Sequence, residues 1–287
     1  MIDGDLLASF LAFGECRNLT RAARMVGVSQ PALFERLKRL ADGIGEPLYA
    51  RRGRELVLTE VGDRVLAFAR EQRARHDELL ADLRGTSAAR QVVLAAGEGA
   101  YLYLLGPALE AVGRDPAIDL QLLTLGAPRT LEAVRSGRAH LGVAVVDLVP
   151  RGIDAVTLLE TPLCVALPAR HPAARARRVA LADLRGSRWI LPPEGQMHRD
   201  HVSRALARTG DAPAGVIEAD GWPLMLGFVA RGLGVAVVNG TCTPPRGAVL
   251  RPVPELGSVT YRLLTRRQAA LSPEALAVAA AIRRTVR

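Results

Sequence analysis

The chain has 287 residues, of which 49% are hydrophobic, and a formal net charge of +9 at pH 7. This length suggests about two domains, and the apolar content is ample for buried cores. The composition excludes a helical membrane protein, since no apolar run approaches the roughly 18 residues that a membrane helix requires.

The stretch TRAARMVGVSQPALFERLKRL, which begins at Thr20, predicts two helices joined by a tight turn. Thr20 is expected to cap a helix that begins at Arg21, and Gly27 to end that helix in the left-handed conformation. Ser29 is expected to cap the second helix, with Pro31 in its first turn. This pattern is typical of a helix-turn-helix.

The second helix has an apolar face and a polar face at about 100° per residue. The apolar stripe consists of Leu33, Leu37, Leu40 and Ile44, and the opposite face of Pro31, Glu35 and Lys38, flanked by Phe34 and Arg39. The polar face could enter a major groove, whereas an ordinary solvated surface helix is the alternative. The surrounding residues 17–54 carry nine Lys and Arg against three Asp and Glu, which favours contact with nucleic acid.

A basic hairpin is predicted after this helix. Short strand-like runs at Leu48–Ala50 and Glu55–Leu58 flank RRGR, whose turn would lie at Gly53. Such a wing would lie on phosphates or in a minor groove, and an exposed basic hairpin without a role is the alternative. The expected DNA-binding residues are Thr20, Arg21, Ser29, Gln30, Pro31, Phe34, Glu35, Lys38, Arg39, Arg51, Arg52 and Arg54.

A helix of unusual length is predicted from Thr59 to Leu83, followed by a linker at residues 84–90. Its expected apolar members are Val61, Val65, Phe68, Leu79, Leu80 and Leu83. The middle of the helix is strongly charged, so we expect it to pair with a copy of itself rather than to lie in a monomer core.

Beyond residue 90 apolar strands alternate with helices, which predicts an α/β unit with mainly parallel sheets. Strands are expected near Val92–Ala96, Ile118–Leu123, Leu141–Val146, Leu163–Leu167, Arg188–Leu191, Val216–Glu218 and Val235–Val238. Helices are expected near Tyr101–Val112, Thr130–Ser136, Asp200–Thr209 and Pro223–Arg231. The order of these elements suggests two lobes. The chain is expected to cross from the first lobe to the second at Thr161–Leu163 and to return to the first lobe near Leu264.

The N-terminal region resembles that of LysR-type transcriptional regulators, through TRAA, VSQPAL, IGEPLY and LTEVG. CVALPARHPAA and GFVARGLGVAVV are similar to the crossover strand and a late helix-strand unit of that family's effector domain. The resemblance implies an α/β protein with an all-α-dominated N-terminal winged helix-turn-helix and a C-terminal two-lobed domain like that of periplasmic binding proteins. It implies DNA as a partner, a dimer or tetramer, and an effector between the lobes, and we expect RNA polymerase as a further partner.

The expected domains follow from the residue patterns and from the resemblance to LysR-type regulators. Residues 1–58 form the winged helix-turn-helix, residues 59–90 the dimerising helix and hinge, and residues 91–287 the effector-binding domain. Lobe I is expected at about 91–162 and 265–287, and lobe II at about 163–264. Phe34 stands where relatives usually carry a small hydroxyl residue, and Glu35 often stands where they carry arginine or another polar group, so the operator contacts of relatives do not transfer.

Loops after strands and at helix starts are where α/β lobes bind ligands, which selects GEGA, GAPR, PEGQMH and DGW. The expected effector-binding residues are Glu98, Gly99, Ala100, Pro128, Arg129, Gln196, Met197, His198 and Trp222. Glu98 would repel an anion unless Arg129 or His198 offsets its charge, so we expect a small polar effector. The alternative is that Glu98 only caps a helix beginning near Tyr101.

The sequence predicts no catalytic site, metal or cofactor. His198 and His201 could share a helix face, but no third metal ligand is evident. The three cysteines lack a Cys-x-x-Cys spacing, and together with an acidic N-terminus they suggest a cytoplasmic protein. A redox pair of Cys164 and Cys242 and two inert buried thiols both remain open. The rival function is a two-lobed solute-binding protein or enzyme, which would leave residues 20–58 unexplained.

Overall fold

A computed structural model describes residues 3–52, 55–83, 90–210, 214–267 and 269–286. The helices are α1 Gly4–Cys16, α2 Leu19–Met25, α3 Gln30–Ile44, α4 Glu60–Leu83, α5 Glu98–Tyr103, α6 Gly106–Val112, α7 Ala127–Arg135, α8 Met197–Thr209, α9 Trp222–Ala230 and α10 Pro273–Thr285. The strands are β1 Tyr49–Arg52, β2 Glu55–Leu58, β3 Arg90–Ala96, β4 Ile118–Thr124, β5 Leu141–Val145, β6 Ile153–Pro168, β7 Arg188–Leu191, β8 Gly215–Glu218, β9 Val235–Asn239, β10 Ala248–Pro252 and β11 Ser258–Arg266.

The N-terminal unit consists of α1, α2 and α3 around an aromatic and leucine core. Phe10, Phe13, Leu33 and Leu37 are fully buried there. The ring of Phe13 meets the edge of Tyr49 in β1, with centroids 5.2 Å apart, so the hairpin of β1 and β2 is held against the helices.

Helix α4 is fixed to this unit at its first turns. The Thr59 hydroxyl donates to the Pro47 carbonyl at 2.6 Å and accepts from the Gly62 amide at 3.0 Å. A Cβ at Gly62 would lie 1.8 Å from the carbonyl oxygen of Leu48, so only glycine allows this approach. The N-terminal unit and the start of α4 therefore form one body.

Among the predicted apolar members of α4, Val61 and Val65 are partly buried against the core of the N-terminal unit. Leu66, Ala67 and Ala69 are buried, whereas Phe68 is 41% exposed. Leu79 and Leu83 carry side chains that lie outside the described part of the structure. The predicted list of apolar members did not include Leu66 or the small alanines Ala67 and Ala69, which also form contact faces of the helix.

One mixed sheet runs through the rest of the chain in the order β4-β3-β5-β11-β6-β9-β7-β8, with β10 beside β6. Parallel pairs join β3 to β4 and β5, and β7 to β8 and β9. We call the half built on β3, β4, β5 and β11 lobe I, and the half built on β7, β8, β9 and β10 lobe II. Strand β6 has 16 residues and pairs with β11 in its first part and with β9 and β10 in its second.

The expected mainly parallel pairing is wrong for the middle of this sheet, where β6 pairs antiparallel with β9, β10 and β11, and β11 pairs antiparallel with β5. The first half of β6, together with β10, β11 and α10, was not predicted, because these segments mix polar and apolar residues without strict alternation. The helix predicted at Tyr101–Val112 is two helices. Pro107 has no amide hydrogen, and its ring would clash with the carbonyl of Tyr103 in a continuous helix.

Candidate functional site

Helices α2 and α3 form a helix-turn-helix with well-defined caps. The Ser29 side chain accepts from the Ala32 amide at 3.3 Å, and Pro31 lies in the first turn of α3, as predicted. Gly27 has the left-handed conformation, with φ of 70°. The predicted cap at Thr20 was wrong, because α2 begins at Leu19, two residues earlier than predicted, and the Asn18 side chain accepts from the Arg21 amide.

The polar face of α3 is open to solvent. Leu33, Leu37 and Leu40 are buried, as the periodicity predicted. The exposed residues of α3 and its cap include Ser29, Gln30, Pro31, Phe34, Glu35, Lys38 and Arg39. The side chain of Phe34 is 44% exposed, which leaves an aromatic surface among cations and one acid.

Thr20 and Gln30 are in direct contact across the turn. The Thr20 hydroxyl donates to Oε1 of Gln30 at 3.1 Å, and both residues are exposed, as is Arg21. The bond holds the Gln30 amide group at the start of α3, with its nitrogen available as a donor to a base edge. Residue types alone do not reveal this pair, since it joins two helices.

The wing of the predicted motif is an antiparallel hairpin, with Tyr49 paired to Leu58 and Arg52 paired to Glu55. Arg51 is exposed on β1. Gly53 and Arg54 lie outside the described residues, and so does the side chain of Arg52. The hairpin therefore extends from the side of the helix-turn-helix with at least one exposed arginine.

The second candidate site lies where α5 of lobe I meets α9 of lobe II. Trp222, the first residue of α9, packs on the backbone of Gly99, so that a Cβ at Gly99 would lie 2.4 Å from Cε3 of the indole. Tyr103 of α5 and Trp222 both pack against the lobe II core cluster that contains Met225 and Leu226. The cleft between the lobes is thus narrow at this point.

Helix α5 is anchored to the lobe I sheet by Tyr101. Its hydroxyl donates to the carbonyls of Leu94 at 2.7 Å and Leu123 at 3.1 Å. Burial raises the pKa of Tyr101 to about 12, so the hydroxyl stays protonated and keeps donating. These two bonds fix α5 relative to β3 and β4.

Glu98 is the first residue of α5 and is not its cap. The N-cap is Gly97, and no side chain caps the helix, which overturns the reading of Glu98 as a capping residue for a helix near Tyr101. Its Oε2 lies 2.9 Å from where a Cβ of Gly221 would be, and Gly221 has φ of 85°. Glu98 therefore reaches across from lobe I to the start of α9.

His198 stays neutral at pH 7. Its Nε2 lies 2.8 Å from the carbonyl of Val237, and its ring centroid is 6.2 Å from that of Trp222. Burial lowers its pKa and outweighs the opposing effect of the Val237 carbonyl. His198 therefore does not offset the charge of Glu98.

Asp220 adds a second carboxylate, which is not among the predicted effector-binding residues. Its Oδ1 accepts from Nε2 of Gln196 at 3.1 Å and from the Gly221 amide at 3.0 Å. These bonds join the start of α8 to the start of α9. The loop DGW was among those predicted to bind ligand. Only the position of α8 beside α9 distinguishes Asp220 in that loop from an ordinary surface acid.

The other predicted effector residues differ in exposure. Met197 is 58% exposed, whereas Ala100 is buried and its amide bonds to the Gly97 carbonyl. Pro128 and Arg129 are exposed in the first turn of α7, which follows Gly126. Of this pair, Arg129 carries the positive charge.

The histidines considered as metal ligands bond to backbone carbonyls, and the two cysteines considered as a redox pair are buried. His201 bonds through Nε2 to the Leu256 carbonyl at 3.0 Å, whereas His198 bonds to the Val237 carbonyl. Within the described part of the chain, no group of three or more His, Cys, Asp or Glu side chains could hold a metal ion. Cys164 and Cys242 are buried and free, and burial raises the pKa of both, to about 12 for Cys242.

Two family profiles match the chain. The profile described as "Bacterial regulatory helix-turn-helix protein, lysR family" matches residues 5–63, and the profile described as "LysR substrate binding domain" matches residues 85–287. The chain belongs to the LysR family. As a LysR-family protein it is a DNA-binding transcriptional regulator with an effector-binding domain, and the match over residues 5–63 favours this function over a solute-binding protein or an enzyme.

Relatives of this LysR-family chain match along most of its length. The uncharacterized HTH-type transcriptional regulator YbhD of Escherichia coli (strain K12) is 27% identical over 277 residues, which cover 94% of this chain and 87% of the relative. The probable cat1 operon transcriptional activator of Acinetobacter lwoffii is 30% identical over 235 residues, which cover 80% of this chain and 78% of that protein.

Solved structures share the fold of this LysR-family regulator. A variant of full-length OxyR from Pseudomonas aeruginosa has a TM-score of 0.69 at 21% identity, covering 99% of this chain and 95% of that one. Full-length CbnR in complex with its target DNA has a TM-score of 0.55 at 21% identity, covering all of both chains.

Among the described residues, no helix is both long and apolar enough to cross a membrane.

Proposed function

We propose that this regulator binds a small polar effector between its lobes and that this binding controls how it engages its operator. The observation that carries the proposal is the contact of Trp222 with Gly99, which places an indole ring between a helix start of lobe I and one of lobe II. Ligands of α/β lobes bind at such helix starts, where unpaired amides and ring faces are available.

The charges of the cleft favour a neutral or cationic effector over a dicarboxylate. Glu98 and Asp220 both lie beside Gly221, and His198 is neutral. Arg129 is the one cation among the predicted effector-binding residues. Two carboxylates near a ring face disfavour an anion and attract a positive group.

We further propose that the operator is read by α3 and held by the wing. The residues are those predicted: Thr20, Arg21, Ser29, Gln30, Pro31, Phe34, Glu35, Lys38, Arg39, Arg51, Arg52 and Arg54. Their exposure along α3 and β1, where it is described, supports this set. The protein acts as a homodimer or homotetramer in the cytoplasm. It has no enzymatic activity and contacts RNA polymerase at the promoter.

Thermal-shift measurements on the full chain test the effector site, because a ligand selective for the folded state raises its melting temperature. A metabolite library sorted by charge should yield hits among neutral or cationic compounds. The shift should be lost in Glu98→Ala and Trp222→Ala and retained in Leu276→Ala, a control on α10 that is 54% exposed. Hits confined to dicarboxylates, or a shift retained at full strength in both cleft variants, would contradict the proposal.

A further inference from the structure

Lobe II has a cavity at the amino ends of its parallel strands. The cavity has a volume of about 410 Å³, which lies within the range of small-molecule sites. Arg188, the first residue of β7, lines it together with Ala214, which precedes β8, and Gly234, which precedes β9. The effector cleft lies at the other ends of these strands, where Asp220 follows β8. The length of β9 separates the two places by roughly 13 Å, so a molecule in the cavity is outside the cleft.

The shape of the cavity comes from the turn that joins α9 to β9. Gly232 has the left-handed conformation there, with φ of 79°. A Cβ at Gly234 would lie 2.6 Å from the carbonyl oxygen of Arg188, so the start of β9 approaches β7 closely because this residue has no side chain. Leu233 lies between the two glycines with 41% of its side chain exposed. Leu233 and Pro168 give the concave surface an apolar wall.

The polar side chains that line the cavity offer hydrogen-bond donors. Nδ1 of His171 accepts from the Ala173 amide at 3.1 Å, so the hydrogen of the neutral ring is on Nε2. Burial lowers the pKa of His171, which keeps the ring neutral at pH 7. Ser187 is half-buried and adds a hydroxyl. Arg188 is exposed, and its Nε lies 3.5 Å from where a Cβ of Gly215 would be, so its side chain runs beside the start of β8.

The charges around the cavity favour an anion. None of the described residues that line it is Asp or Glu. The segment 169–182, which follows β6, holds four arginines and no acid. Asp183 comes next in the chain, and its Oδ2 accepts from the Ala180 amide at 2.9 Å. The cleft has the opposite character, because Glu98 and Asp220 both lie beside the start of α9 there.

We propose that this cavity is a second small-molecule site, which takes a small organic carboxylate with an apolar body. A guanidinium group binds a carboxylate through two parallel hydrogen bonds, which are stronger than bonds between neutral groups. Arg188 supplies that group, His171 supplies a further donor, and the apolar body lies on Leu233 and Pro168. The site does not depend on an effector in the cleft, so either proposal can fail without the other.

Calorimetric titration of the full chain with three probes tests this inference. Cyclohexanecarboxylate has the expected charge and apolar body, cyclohexanecarboxamide keeps the ring without the charge, and inorganic phosphate is an anion without a ring. The carboxylate should bind about tenfold more tightly than phosphate, because only the carboxylate buries apolar surface on the cavity wall. Equal affinities for these two anions would overturn the inference.

Substitutions locate the bound carboxylate. Arg188→Gln removes one charge at an exposed position and should weaken carboxylate binding about tenfold, while affinity for the amide stays the same. Arg178→Gln is the matched control, since it makes the same change at another exposed arginine of lobe II, and it should bind like wild type. Trp222→Ala alters the cleft and should also bind the carboxylate like wild type. Binding that is lost in Trp222→Ala and retained in Arg188→Gln would place the carboxylate in the cleft and overturn the inference.

A variant that fills the cavity tests the site without changing its charge. Ala214 is exposed and lines the cavity, so Ala214→Phe should abolish carboxylate binding while a cooperative thermal transition shows that the protein is folded. Full carboxylate affinity in Ala214→Phe would overturn the inference. The same variant decides the matter if Arg188→Gln does not fold.

Discussion

Trp222 packs on the Cα of Gly99 so closely that the position tolerates no side chain: an added Cβ would meet the indole at 2.4 and 2.6 Å. The contact joins a helix of lobe I to a helix of lobe II, so the environment of the indole ring changes when the lobes move relative to each other. Overpacking at such a site costs typically 1–3 kcal/mol, because the ring or the helix must move.

Gly99→Ala should therefore displace Trp222. We expect its fluorescence emission to move to longer wavelength and to become easier to quench with acrylamide, while Trp189, which is 2% exposed, contributes an unchanged background. Gly97→Ala is the matched control, since its Cβ would meet nothing closer than the Leu125 carbonyl at 3.8 Å. Identical spectra for the two variants would argue against a tight contact in solution.

Thr20→Val should weaken sequence discrimination by the start of α3. Without the hydroxyl, the Gln30 amide loses a bond that holds it in place, and one such bond contributes about 0.5–1.5 kcal/mol, or roughly a 2- to 12-fold change. Competition between the selected duplex and one changed at the base read by Gln30 measures the effect. Thr20→Ser keeps the hydroxyl and should keep the discrimination; an equal loss in both variants would point to packing instead.

Arg52→Ala in the wing should weaken binding to all duplexes about equally and reduce the slope of log affinity against log salt by about 1, because a phosphate contact carries no sequence information. Titrations at several salt concentrations on selected and random duplexes measure both quantities. Arg178→Ala, an exposed site in lobe II, should leave the slope unchanged. A sequence-selective loss at constant slope would place Arg52 on a base instead.

The buried thiols should be inert. The pKa of Cys242 is raised to about 12 and that of Cys164 is raised as well, so neither forms the reactive thiolate at pH 8. Iodoacetamide at pH 8 should leave both unmodified in the folded protein and label both in denaturant, as mass spectrometry of peptides would show. A disulfide between them after mild peroxide treatment would revive the redox alternative.

Local sequence signals predicted the DNA-binding half well. Ser29, Pro31 and the Leu33, Leu37 and Leu40 stripe act within one or two helix turns, so their roles can be read from spacing. The cap of α2 is Asn18 and not the predicted Thr20, because either side chain can cap a helix and only the observed start decides between them.

The features that join distant segments could not be read in this way. Asp63 and Arg135 are 72 residues apart in the chain, and Gln196 and Asp220 are 24 apart. No local pattern distinguishes such partners from ordinary surface charges. The cleft loops were nevertheless selected, because the rule that ligands bind at the ends of parallel strands needs only the order of elements. The boundaries of the domains and the individual site residues stay predictions.

Selection of duplexes from a random pool by the full chain tests the central claim, sequence-specific recognition of DNA by the exposed face of α3. The wild-type protein should enrich one motif, and Glu35→Ala should relax the preference at one base by about 1–3 kcal/mol while the fold stays intact, since Glu35 is exposed. Asp42→Ala, at an exposed site near the other end of α3, should enrich the wild-type motif. No enriched motif, or an identical motif for wild type and Glu35→Ala, would contradict this account of the recognition helix.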